Sequence, residues 1–227
     1  MNSALFAGFS AGLLREIAIG ILETLYMSVA STALAYLLGM PIGILLVTSA
    51  EGGMHPLPGL NKALSAMVNI LRSIPFLILM VLLIPFTRFV VGTTLGSTAT
   101  IVPLVIGAAP FVARMVESSL KEVDRGVIEA AQSMGASVWQ IVYKVLLPEA
   151  KPSLIMGAAI SITTIVGYSA LAGFLGGGGL GAIATNYGYY RYNGEVMLVT
   201  VVLLVLIVQV FQEVGTRIAN GTDKRRN

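Results

Sequence analysis

The chain has 227 residues, of which 56% are hydrophobic and 11% charged, with a formal net charge of +3. Soluble domains carry roughly 25% charged residues, so this chain lacks the side chains needed to cover a water-facing surface. That excludes an ordinary soluble enzyme, a disordered chain and a nucleic-acid-binding module; at about 20 apolar residues per crossing, the length allows about five to seven membrane spans and no second soluble domain.

In chain order, Met1 to Leu14 is apolar but has no Lys or Arg, so it lacks the basic region of a cleavable signal peptide. It is expected at the membrane surface ahead of the first span. Thr24 to Ala50 is free of charge, and Pro41 between Gly39 and Gly43 suggests a kink or loosened turn near its end. Glu51, Gly52, Gly53, Pro56 and Pro58 mark a loop. His55 in that loop is the only histidine; without partners it builds neither a metal site nor a triad, and it reads as a surface residue. Ala63 to Phe86 is the second apolar block, interrupted by Arg72 and closed by Arg88. A charge at a helix centre costs roughly 2.5–3.5 kcal/mol, and Ser73 with Pro75 suggests a local break that lets Arg72 reach the interface. Leu95 to Ala113, with Pro103 and Pro110 inside it, is the third block, Leu154 to Phe174 the fourth and Val196 to Phe211 the fifth. Arg114 to Lys151 and Gly176 to Glu195 are too polar to span.

These blocks predict an all-α integral membrane protein: one domain over 1–227, with five transmembrane helices near 20–48, 62–86, 93–113, 153–174 and 196–214 and a polar loop over 115–150. With Lys224, Arg225 and Arg226 inside, the inner basic residues are those three with Lys62, Arg72, Arg114, Lys121, Arg125, Lys144, Lys151 and Arg217. The outer ones are Arg15, Arg88 and Arg191. The bias satisfies the positive-inside rule and puts the N-terminus outside and the loop between spans three and four in the cytoplasm. There is no internal repeat, so a symmetric pathway would need a second copy of the chain. Cysteine is absent, which excludes disulfides and thiolate metal sites.

The cytoplasmic loop is the most informative stretch. Gly126 to Met134 has helical apolar spacing, and Gly135 is placed to cap its C-terminus. Ala136-Ser137 offers the cap of a second amphipathic helix, whose apolar side holds Val138, Trp139, Ile141, Val142, Val145 and Leu146 and which Pro148 should end. Periodicity alone leaves two readings: a helix that sits in a groove of a partner, or an interfacial hairpin covering the span ends. The spacing of Glu129-Ala130-Ala131, Gly135 and Val145-x-Leu147-Pro148 resembles the EAA loop of ABC importer permeases, with Val145 where Ile is usual. That resemblance implies a type I ABC importer permease whose loop forms the coupling helix. Glu129, Ala130, Ala131 and Gly135 would meet a partner ATPase, and Leu147-Pro148 would restart the next span.

Gly176 to Gly179 invites a phosphate-loop reading, but no Gly-Lys-Ser/Thr follows. The chain is therefore expected to hold no nucleotide site and no cofactor and to be no enzyme, with ATP bound by the partner. The glycines read as a flexible external loop combined with close helix approach.

Further blocks are similar to the methionine-uptake permeases: Val68 to Phe76, Ile84 to Arg88, Gly107 to Phe111 with Ala113 to Glu117, Gly167 to Ala170, Gly177 to Gly181 and Tyr187-Gly188-Tyr189. The similarity runs from about residue 20 to 215. It implies a permease for D- and L-methionine in the bacterial cytoplasmic membrane, paired with a second copy of itself, two ATP-binding subunits and an extracytoplasmic methionine-binding lipoprotein. A permease of this type for another amino acid is the alternative. An ATP-independent carrier would need an intramembrane acid or His relay, whereas Glu23 and Glu195 lie near span ends. A membrane enzyme would need clustered acid, base or metal residues, and there is no such cluster. The ten methionines are spread through apolar segments and read as core filler.

Span four offers polar residues to a pathway. Ser161, Thr163 and Thr164 are expected to bond backbone or neighbouring helices, worth about 0.6 kcal/mol each. Tyr168, Ser169 and Leu171 are the candidates for facing substrate. Leu171 departs from the family, whose members often carry Met there; it keeps the volume and loses the thioether.

Overall fold

The computed structural model describes residues 11–222, and every regular element among them is helical. Helix α1 (Ala11–Thr48) has 38 residues and continues through Pro41 without a break. At 1.5 Å per residue it measures about 57 Å, well beyond a hydrocarbon core of about 30 Å. Residues 1–10 of the expected surface stretch lie outside the described part. From Ala11 on, that stretch is already part of α1, because Leu13 and Ile17 are buried against Leu180, Ile183 and Val196.

The glycines flanking Pro41 serve packing. A Cβ at Gly43 would lie 2.7 Å from the Ala113 carbonyl oxygen and 2.7 Å from Val116 Cβ, and one at Gly39 would lie 2.7 Å from the Ala109 carbonyl oxygen. Small residues four apart let two helix backbones approach where lipid gives no hydrophobic drive between helices.

The second apolar block is broken. Helix α2 (Pro58–Ser73) and α3 (Phe76–Leu82) meet at an angle of 101°, so 62–86 counts as a span only as a bent pair. Pro75 explains the break: its ring bars the preceding residue from helical backbone, and Ile74 is extended at φ −81°, ψ 121°. Arg72 is exposed in the last turn of α2, where a cation complements the helix dipole. Helix α4 (Ile84–Val91) ends at Gly92.

Helix α5 (Ser97–Lys121) continues through Pro103 and Pro110 and overruns the expected end near 113 by two turns. Its polar tail is self-satisfied: Glu117 accepts from Arg114 and, at 2.7 Å, from Lys121, one turn away on either side. After the loop come α9 (Lys151–Ala172) with a 3₁₀ turn (Gly173–Leu175), α10 (Gly179–Ile183) with a π turn (Ala184–Tyr189), and α11 (Gly194–Thr222). By length and apolarity α1, α5, α9 with its 3₁₀ turn, and α11 can each cross a membrane, which makes four, or five if the bent pair is one span.

The chain divides into two compact units, 1–31 with 75–105 and 162–211, and 32–74 with 106–161 and 212–227. The first has the core Leu13, Ile17, Leu180, Ile183 and Val196. The second has the core Leu46, Val68 and Ala113, with Ile42 and Leu64 packed against it.

The glycine run in the first unit is firmly tied. Gly176, Gly178 and Gly179 all have φ between 70° and 80°, a backbone that side chains resist. Glu23 on α1 accepts the Gly179 N–H at 2.6 Å, and Thr24 Oγ1 accepts the Leu180 N–H at 2.9 Å. The Gly96 N–H donates to the Gly176 carbonyl, and Thr100 Oγ1 to the Gly177 carbonyl. A flexible loop was expected here; these four bonds fix it, and the close approach that was expected alongside is present.

Candidate functional site

The loop between α5 and α9 folds as a helical hairpin in the second unit. Helix α6 (Arg125–Ser133) starts at Asp124, whose Oδ1 accepts the Gly126 N–H at 2.6 Å. It stops at Gly135, φ 78°, in a double-bonded C-cap: the Gly135 N–H donates to the Gln132 carbonyl and the Ala136 N–H to the Ala131 carbonyl. Helix α7 (Val138–Ile141) opens with a capping box, in which Ser137 and Gln140 each accept the other's backbone N–H.

Pro148 does not end this second helix as expected. The backbone passes through a π turn (Val142–Leu146) into α8 (Leu147–Glu149) and breaks only at Ala150. A proline in a regular helix clashes with the carbonyl four residues back; here Leu147 instead donates to Val142, five back, and the wider turn leaves room. Ala131, Ile141, Val142 and Leu146 of the hairpin are buried, as is Val123 just before it.

The outer surface of the hairpin is unusual for polar loops. Glu129, Ala130 and Gly135 are exposed, as are Met134 (82%), Trp139 (73%) and Tyr143. Ala131, by contrast, is buried, so only its carbonyl, already bonded to Ala136, reaches the cap. Val145 and Leu147 are half-buried and Pro148 is exposed. The structure thus gathers Glu129, Ala130 and Gly135 on one surface and places Val145 and Leu147 in the packing behind it.

Two clefts flank the hairpin. One of about 490 Å³ lies between α6 and the turn after α1, lined by Glu51 to Met54, Lys121, Arg125, Ile128, Glu129 and Gln132. The other, about 590 Å³, is lined by Ser119, Glu122, the Pro148–Ser153 stretch, Gly221 and Thr222. The frame around them is rigid. Asn61 Nδ2 on α2 donates to the Leu46 carbonyl at 2.7 Å and to Ser49 Oγ at 3.1 Å, and Arg114 donates to Asn69 Oδ1 at 2.9 Å.

The pathway candidates lie in the first unit, on α9. The Tyr168 ring stacks on Phe76 with centroids 4.5 Å apart and planes 2° apart. Ser169 is buried and donates to the Val166 carbonyl, so it serves its own helix. Leu171 is exposed with Gly167 on α9, and so is Phe174 in the 3₁₀ turn that follows. Ser161, also on α9 but in the second unit, donates to the Gly157 carbonyl at 2.8 Å. Among the described residues no group of His, Cys, Asp and Glu is placed to hold a metal ion.

Sequence reasoning missed Asp124, though a cap-type residue before Arg125-Gly126 was there to be read. It also missed the Glu23–Gly179 bond, which joins residues 156 apart and has no local signal.

Residues 39–220 match the family described as binding-protein-dependent transport system inner membrane component. A probable D-methionine transport system permease of Vibrio cholerae is 52% identical over 204 residues, 89% of this chain and 90% of that protein. A methionine import system permease of Bacillus subtilis is 46% identical over 203 residues, 89% and 91% of the two chains. An inward-facing methionine ABC transporter structure superposes with a TM-score of 0.94 at 48% identity, covering 95% of this chain and all of that one. An amino acid ABC transporter structure superposes at 0.76 with 19% identity, covering 92% and 95%, a likeness of fold alone.

Proposed function

The chain belongs to the binding-protein-dependent transport system inner membrane components, with the methionine transport permeases, and from that premise we propose that it carries methionine, D and L, through the bacterial inner membrane as the spanning subunit of an ATP-driven importer. Two copies pair, each bearing one ATP-binding subunit, and an extracytoplasmic binding lipoprotein delivers the substrate. ATP is bound and hydrolysed on the partner, and this chain contributes no nucleotide site.

The observation that carries the reading is the doubly capped hairpin. Helix α6 is nine residues long, too short to persist alone in water. Asp124 at one end, Gly135 at the other and Ala131 beneath hold it with Glu129 and Ala130 outward. A helix so held is a rigid lever. Force applied to it by a partner has a short route to α5 and α9, since three residues separate the hairpin from α5 and Ala150 alone separates it from α9. Met134 and Trp139 beside it supply the large apolar side chains that anchor protein interfaces. The basic residues support the orientation, since among the described residues all but Arg15, Arg88 and Arg191 belong to the unit containing the hairpin. That face is cytoplasmic, with the C-terminus, and the N-terminus is outside.

On the pathway side, the exposed Gly167 and Leu171 of α9 face the second copy across the translocation route, with Tyr168 beside them. A zwitterionic substrate passes such a surface without sticking to a fixed charge. Glu129→Lys and Gly135→Pro test the coupling: both variants should insert normally, fail to co-purify with the ATP-binding subunit and lose uptake. Normal association and uptake in both would overturn the assignment.

A further inference from the structure

Glu23 on α1 is a carboxylate that neither the coupling hairpin nor the pathway uses. It is half-buried, and α1 carries no further charge from Thr24 to its end at Thr48. Its Oε2 accepts the Gly179 N–H at 2.6 Å, while Thr24 Oγ1, one residue on, accepts the Leu180 N–H at 2.9 Å. Where α5 begins, the Gly96 N–H donates to the Gly176 carbonyl at 2.9 Å and the Thr100 hydroxyl to the Gly177 carbonyl at 3.2 Å. Helices α1 and α5 thus grip the glycine run at its two ends, within the first compact unit.

The grip allows no side chain. Gly178 has φ 80° and ψ −168°, a region essentially reserved for glycine, and a Cβ there would lie 2.9 Å from Glu23 Oε2. A Cβ on Gly179 would lie 2.7 Å from Thr24 Oγ1. The run is also joined to the end of α9. The Gly177 N–H donates to the Ala172 carbonyl at 3.0 Å, and a Cβ on Gly173 would collide with the Gly181 backbone. What holds Gly179 therefore holds the end of α9, next to Leu171.

We propose that Glu23 is a positioning residue for transport: its bond to Gly179 latches the end of α9 in a closed position, and the bond breaks and re-forms in each cycle. The inference rests on the proposed function, which puts this end of the chain outside and requires that side to open for substrate. Two features favour a latch over a static staple. Thr24 shows that a neutral hydroxyl on the same helix suffices to hold a neighbouring N–H. A carboxylate beside so long an apolar run is costlier to keep, and it gives a charge-assisted bond about twice as strong. The second feature is what that bond opposes. Consecutive glycines gain more backbone freedom on release than any other residues, so the run favours opening and needs a strong bond to stay shut. Opposed terms of this kind make a hinge with two positions.

The test uses the complete complex in nanodiscs, with its ATP-binding subunits and binding protein. Amide exchange at Gly179 and Leu180 is followed in the wild type, first without nucleotide and then trapped with ATP and vanadate. A latch gives protection in the first state and at least about tenfold faster exchange in the second. A static staple gives equal protection in both, and that result overturns the inference. Glu23→Gln keeps the shape and leaves a neutral acceptor. It should raise ATP hydrolysis in the absence of methionine about three- to tenfold, because the weaker latch opens more often. Thr24→Val should raise it less. A structural bond alone would move hydrolysis the other way, so unchanged or lower hydrolysis in an assembled Glu23→Gln complex also overturns the inference. If that variant does not assemble, exchange in the wild type decides. Failure of the underlying function is separate: the wild-type complex would then take up no methionine.

Discussion

Gly135 gives the sharpest test of how the hairpin is built. Its φ of 78° is closed to β-branched residues, yet a Cβ there would meet nothing within 4 Å. Gly135→Val therefore adds no clash and isolates the backbone term, about 1–2 kcal/mol for left-handed conformation. At RT near 0.59 kcal/mol, that raises the open fraction of the α6 C-cap about 5–30-fold. Gly135→Asn should cost less, because Asn enters this region readily. Gly59 is the internal control: it lies in α2, a Cβ there also meets nothing, and its φ is ordinary. Gly59→Val should be neutral or slightly stabilising. Amide exchange at Gly135 and Ala136 reads the cap directly, and ATPase coupling in the assembled complex reads its consequence. Wild-type exchange in Gly135→Val, or equal damage from Gly59→Val, would refute the reasoning.

Other outcomes follow from single contacts. Asp124→Ala removes the α6 N-cap and should cost about 1 kcal/mol of local stability, seen as faster exchange at Gly126. Gly43→Leu drives a side chain into Ala113 and Val116 and should lower stability by about 1–3 kcal/mol, measured by thermal unfolding in detergent. Glu23→Ala leaves the Gly179 N–H without its charged acceptor and should cost about 1.5–3 kcal/mol, with Glu23→Gln recovering part of it. Tyr168→Ala removes the stack on Phe76, worth about 0.5–1.5 kcal/mol, and should slow uptake while ATP-binding subunits still co-purify.

What was legible in the sequence is what local chemistry decides. The first loop helix was expected at Gly126–Met134 and is found at Arg125–Ser133, because glycine and cap residues mark both ends within a few positions. Ser137 was likewise readable, since its partner Gln140 is three residues away. Pro148 was misread because a proline stops a regular helix, and nothing in its neighbours announces a π turn. The glycine run was half legible: its close packing followed from composition, but the bonds that immobilise it come from Glu23, Thr24 and Thr100 far along the chain. Ser73 and Pro75 did signal a break in the second block, though not its angle of 101°. Of the residues proposed for coupling, Ala131 shows the limit of motif reading: the pattern groups it with Ala130, and helical periodicity turns it inward.

On the proposed function, this chain moves methionine only when driven by a partner ATPase. The direct measurement is uptake of labelled methionine into liposomes holding the chain alone or the chain with its ATP-binding subunit, ATP and binding protein, with L-methionine, D-methionine and other apolar amino acids as competitors. Uptake is expected only in the complete system, with competition by both methionine isomers. Uptake by the chain alone, or no competition by either isomer, would contradict it.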